Sequence, residues 1–217
     1  MRTAKNITST TMSCLLLGLS AFGLQQTRVT AADDKPQVNV TLNQLHNEFN
    51  LLRDSLSKTM SALEAVKAAA NESGDLAKPY AAFSSAYATL ETQVAKVRAD
   101  GTAAKARAKE HYDAWQKELT EMQNPKLREK AQKRFAATQG EFEKIGEKVA
   151  TAKESFAPLA ADLKDIDTYL KTDLSKDAVS SLSGTIWKMS NSARGVDSKL
   201  ADVAKQIEKT MSKMPQT

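Results

Sequence analysis

Residues 76–97 read LAKPYAAFSSAYATLETQVAKV, and residues 142–170 read FEKIGEKVATAKESFAPLAADLKDIDTYL. In both, apolar residues return at alternating steps of three and four. The first carries Leu76, Tyr80, Phe83, Tyr87, Leu90, Val94 and Val97, and its stripe continues through Ala104, Ala108, Tyr112 and Trp115. The second carries Phe142, Ile145, Val149, Ala152, Phe156, Leu159, Leu163, Ile166 and Leu170. A 3.5-residue repeat keeps one stripe facing a partner helix. The expected fold is therefore all-α: an elongated antiparallel helical bundle or coiled coil of up to four long helices, the second and third longest. On this reading nearly every large apolar residue is core, and little is left to build an active site.

Working outward, the composition agrees. The 217 residues include only 8 Gly and 5 Pro, which suits long helices and argues against a β-rich fold. Charged residues make up 26%. The formal charge of +5 is misleading, because residues 1–31 carry Arg2, Lys5 and Arg28 and no acid; without those three cations it is +2. A near-neutral chain weakens a nucleic-acid reading, and no nucleic-acid partner is expected.

Residues 1–31 have the form of a secretory signal peptide. Arg2 and Lys5 make a positive start, and Met12 to Leu24 is an apolar stretch too short to span a bilayer. Val29-Thr30-Ala31 offers small residues where a signal peptidase reads, so cleavage is expected before Ala32; retention as an uncleaved anchor is the alternative. Cys14, the one cysteine, lacks the Leu-Ala-Gly approach of a lipoprotein signal. Cleavage would leave no thiol for a disulfide, a metal site or a nucleophile.

Residues 32–40 read as a polar linker with Pro36, and residues 41–214 as one helical-bundle domain. The first helix is expected over 41–71, with Leu42, Leu45, Phe49, Leu52, Leu56, Leu63 and Val66 on one face. Gly74 suits the left-handed turn that ends it, and Asp75 can cap a second helix over 75–122. Asn124-Pro125 supplies an N-cap and first-turn proline for a third, over 125–173. Ser175 caps a fourth, over 176–212, carrying Leu182, Ile186, Met189, Val196, Leu200, Val203 and Ile207. The heptad phase survives Gly101 and Pro158, so a continuous second helix and a bend in the third are expected, not breaks. Gly101 should face Ile145 or Val149, admitting a bulky side chain close to the backbone. Val94 and Phe156, equidistant from the Asn124 turn, should meet.

Catalytic signals are missing. His46 and His111 stand far apart, outside any ligand spacing, and are expected at the surface or on a flank. Acids fall mostly off the stripes, which argues against a carboxylate-bridged metal pair. No phosphate-binding glycine loop or nucleophile elbow occurs. Trp115 and Trp187 fit helical faces as packing residues. No metal, cofactor or catalytic residue is expected, and the chain is read as not an enzyme. The basic runs Lys105, Arg107, Lys109 and Lys126, Arg128, Lys130, Lys133, Arg134 are diluted by acids; a solvated face is the plain reading, an anionic membrane surface the other.

Counting from the turns aligns Leu42 with Lys105 and Met211 with Thr138. The second and third helices should therefore project together from about Ala108 to Phe135, roughly 20 Å beyond their neighbours. This tip holds Tyr112 and Trp115, with Lys126, Arg128, Lys130 and Arg134 around them. It is the candidate contact site for a partner protein or for self-association; the bland alternatives are that it packs on itself or that residues 32–41 cover it.

Several short segments carry a family likeness: Pro158-Leu159, Asp165, Leu170-Lys171, Asp173-Leu174, Ala178-Val179 and Ser181-Leu182, together with Tyr112, Trp115, Asn124, Leu127, Arg128 and Phe135. Over residues 45–211 the chain resembles the bacterial secreted helical proteins called domain of unknown function 2959. It departs from the His-Asn pair of that pattern, having Thr172 and Asp173 instead. The resemblance implies a long α-helical envelope protein and brings no activity and no functional residues. The reading overall is a non-enzymatic structural or interaction role in the bacterial periplasm or cell envelope. The alternative is a membrane-surface or lipid-binding protein using a basic helix face.

Overall fold

The computed structural model of the chain describes residues 31–72 and 75–214. The expected signal peptide, apart from Ala31, lies outside the described residues, as does the turn at Gly74. Five helices follow one another: α1 (Ala31–Glu72), α2 (Ala77–Glu121), α3 (Pro125–Thr172), the short α4 (Lys176–Ser181) and α5 (Ser183–Lys213). There is no strand among the described residues. The bundle is all-α, and α2 and α3, of 45 and 48 residues, are the longest helices.

Residues 32–40 are helical and extend α1, where a linker was expected. Val38 explains why: it is buried four residues before Leu42, so the apolar stripe starts earlier than Thr41. The helix expected over 176–212 is split at Leu182, which turns between α4 and α5. Ser180, Ser181, Ser183 and Gly184 surround it, and serine and glycine hold a helix weakly. Asn124 caps α3 through bonds from the Lys126 and Leu127 amides, with Pro125 in the first turn, and Ser175 caps α4. Gly101 and Pro158 both lie inside unbroken helices.

The packing is two hairpins side by side. α1 lies along α2, α3 lies along α5, and α1 and α5 join the hairpins; α2 and α3 touch less than any of these three pairs. Every residue predicted for the α1 face is buried, as are Ile186, Met189, Val196, Leu200, Val203 and Ile207 of α5. α1 and α5 thus form the spine of the core, with α2 and α3 leaning on it.

The hairpins repeat one polar device. On α1 Glu48 precedes Phe49; on α2 Gln93 stands three residues before Lys96. The Gln93 amide nitrogen donates to the Glu48 carbonyl oxygen at 3.1 Å and to its carboxylate at 2.6 Å, and Lys96 pairs with that carboxylate at 2.5 Å. On α3 Glu141 precedes Phe142; on α5 Gln206 stands three residues before Lys209. Gln206 donates to the Glu141 carbonyl oxygen at 3.3 Å and to its carboxylate at 2.9 Å, and Lys209 pairs at 3.4 Å. Lys144 and Lys213 add further pairs to Glu141. Acids were expected mostly off the seams, and three of them are exceptions. Glu48, Glu141 and Asp167 are all about 5% exposed, and each is satisfied by cations and donors.

Candidate functional site

α2 and α3 meet at both ends and part between them. At one end the Tyr80 hydroxyl donates to the Asp167 carboxylate at 3.2 Å. At the other, Trp115 and Phe135 pack edge to face with centroids 5.4 Å apart, and Tyr112 packs on Phe135 and Phe142. Between these contacts lies an open apolar groove enclosing about 710 Å³. A smaller hollow of about 340 Å³ continues it past Tyr87 and Leu163.

The heptad pattern explains how the groove forms. On α3 one column, Ile145, Ala152 and Leu159, is buried in the core. The other column, Phe142, Val149 and Phe156, is only half-buried and lines the groove. On α2, Val94 and Val97 face it in the same half-buried way. The expectation that all these residues are core is therefore corrected: five of them wall an opening. Val94 and Phe156 do share the same space, as two faces of one groove. Gly101 also lines it with Ile145, Gly146 and Val149. No bulky side chain approaches the glycine backbone, however. A Cβ added at Gly101 or Gly146 would meet nothing within 4 Å. Small residues on both walls leave the space that larger ones would fill.

The rim is polar. Arg98, Lys105, Lys153 and Glu143 border the larger hollow, and Lys164 and Glu91 the smaller. Between residues 87–105 and 142–164, no hydrogen bond or ion pair joins α2 to α3 among the described residues.

The tip residues come together, but not as exposed aromatics. Trp115 is 9% exposed and forms a separate small core with Leu119, against which Tyr112, Met122 and Phe135 pack. His111, expected at the surface or on a flank, is 1% exposed and packs beside Tyr112 and Trp115. Burial raises the Tyr112 phenol above its ordinary pKa, and its hydroxyl has no hydrogen-bond partner among the described residues. Lys126, Lys130 and Arg134 are exposed and Arg128 is half-buried. The apolar residue they surround is Leu127, 58% exposed. The α1–α2 hydrogen bond between Gln44 and Asp100 sets a register that carries Ala31 level with about residue 113. The projecting tip is thus shorter than expected, because α1 starts earlier. Trp187 is corrected too: it is 64% exposed on α5, beside buried Ile186.

Among the described residues, no three His, Cys, Asp or Glu side chains converge to hold a metal, and no helix is long and apolar enough to cross a membrane. The groove gave no motif to find in the sequence; its signal was the pair of glycines set on otherwise bulky seams.

The model of a family described as a protein of unknown function, DUF2959, matches residues 34–214. The chain belongs to that family. No curated protein and no solved structure matches it.

Proposed function

We propose that this member of the DUF2959 family is a non-enzymatic binding protein of the bacterial cell envelope, exported by its leader, which takes an apolar partner into the groove between α2 and α3. The observation that carries the reading is the groove itself. Two helices with matching apolar stripes touch at both ends yet leave Val94, Val97, Phe142, Val149 and Phe156 half-open between them. Exposed contiguous apolar surface costs solvation free energy, and in soluble domains it marks contact sites.

Two glycines make the test clean. Leucine at Gly101 and Gly146 starts from open space, and each change also removes a glycine from a helix interior, where it costs about 0.5–1 kcal/mol relative to alanine. Gly101→Leu with Gly146→Leu should raise the melting temperature and abolish uptake of an apolar fluorescent dye. Undiminished uptake by the folded double variant would remove the groove from the reading.

A second reading is a protein contact or self-association at the α2–α3 tip. Leu127, exposed among Lys126, Lys130 and Arg134, supports it. Leu127→Glu with Arg128→Glu should then abolish self-association or crosslinking to an envelope protein; unchanged crosslinks would end that reading.

A further inference from the structure

We infer that the occupant of the groove is a long-chain fatty acid, with its carboxylate between Arg98 and Lys153 and its chain laid along Gly101 and Gly146. This rests on the binding reading above and names the chemistry of the ligand.

Charge placement is the first argument. The contacts of Tyr80 with Asp167 and of Trp115 with Phe135 fix the antiparallel register of α2 and α3. That register sets Arg98 and Lys153 within about one helical turn of each other on the two walls. Both line the groove, both are exposed, and neither makes an ion pair among the described residues. Two cations facing each other across an apolar opening repel; an anion held between them turns that repulsion into two attractions.

Shape is the second argument. From Lys153 the groove runs along α3 to Phe142, about 16 Å at the helical rise. A volume of about 710 Å³ is that of a single small-ligand site. A slot floored by the spine helices and bare at both glycines suits a slender run of methylenes. At the far end Glu143 stands level with Lys105, so the charges there offset one another, whereas Arg98 and Lys153 have no acid among the groove-lining residues beside them, which sets the direction of the chain.

Titration of the purified full chain with palmitate, with hexadecanol and with monoacyl phosphatidylglycerol tests the assignment. Palmitate should bind about tenfold or more tightly than hexadecanol. Shortening the acid below about twelve carbons, the length that fills the groove, should weaken binding roughly tenfold for every two methylenes removed. Arg98→Gln with Lys153→Gln should erase the preference for palmitate over the alcohol and leave alcohol binding unchanged. If the alcohol and the acid bind equally to the native protein, or if the double substitution leaves palmitate affinity intact, the carboxylate site is wrong while the groove stands. Preference for monoacyl phosphatidylglycerol over palmitate would overturn the fatty acid in favour of a phospholipid. If Gly101→Leu with Gly146→Leu leaves all binding intact, the groove reading falls as well. If instead that variant breaks a dimer of the native protein and no amphiphile binds, a second copy is the occupant and the proposal fails.

Discussion

Glu141 is the carboxylate with most partners: Lys213, Gln206 and Lys144 all bond to it, and together they hold its pKa well below the usual carboxylate range, the Lys213 bond contributing most. Lys96 lowers Glu48 in the same way, with help from Gln93. A carboxyl whose pKa is depressed by folding adds stability above its unfolded pKa and loses that stability as pH falls through the folded value. The bundle should therefore keep part of this stability below the ordinary carboxylate pKa and lose it only in stronger acid. Glu141→Gln should destabilise the protein at neutral pH and flatten the acid limb of its melting-temperature profile; an unchanged limb would show that the clasp does not couple folding to pH. At Tyr112 the sign is reversed. Its buried hydroxyl is unpaired among the described residues, so Tyr112→Phe should be neutral or stabilising, by up to about 1 kcal/mol, in chemical denaturation. Residue identity was partly legible in advance. His111 stands three residues after Ala108 and four before Trp115, on the stripe itself, but its polarity masked the spacing. Trp187 misled the other way, because a bulky aromatic one position past Ile186 falls off the buried face.

At the scale of elements, periodicity located the long helices because a 3.5-residue stripe persists over many turns. It could not say which stripe meets which. Phe142 and Ile145 belong to the same seam in sequence; in the fold both line the groove, but Phe142 is half-buried while Ile145 is buried in the core, since α3 packs chiefly on α5. Partner choice is set by the whole bundle and has no local signal. The consequence for stability is direct. Phe156 is half-buried, so Phe156→Ala should cost less than the about 3–5 kcal/mol of a fully buried phenylalanine, while still weakening dye uptake. Trp115 is buried within the small tip core, and Trp115→Ala should approach that full range in denaturant unfolding. The start of α1 was missed because Pro36 and the polar residues around it in the sequence hid the buried Val38. The clasps were missed because a Glu-Phe pair and a Gln-x-x-Lys step look ordinary until the hairpins bring them together.

At the scale of the molecule, the envelope reading makes one check simple. N-terminal sequencing of the protein from its native cell should begin at Ala32; a mature pool beginning at Met1 would overturn soluble export. The two clasps bear on the groove itself. They tie α1 to α2 and α3 to α5, so each hairpin is fastened within itself. Along the groove no polar bond joins α2 to α3 among the described residues; the hairpins are tied through the spine, where Arg53 of α1 pairs with Asp197 of α5. The arrangement is that of a clothes-peg clipped at its two ends: two stiff jaws, a shared back, and a middle span that no α2–α3 bond crosses among the described residues. Such a jaw grades its guests by thickness and length and does not demand a single shape. Affinity should then fall smoothly across chain lengths and branching, and a sharp optimum at one chain would mean that the jaws do not yield.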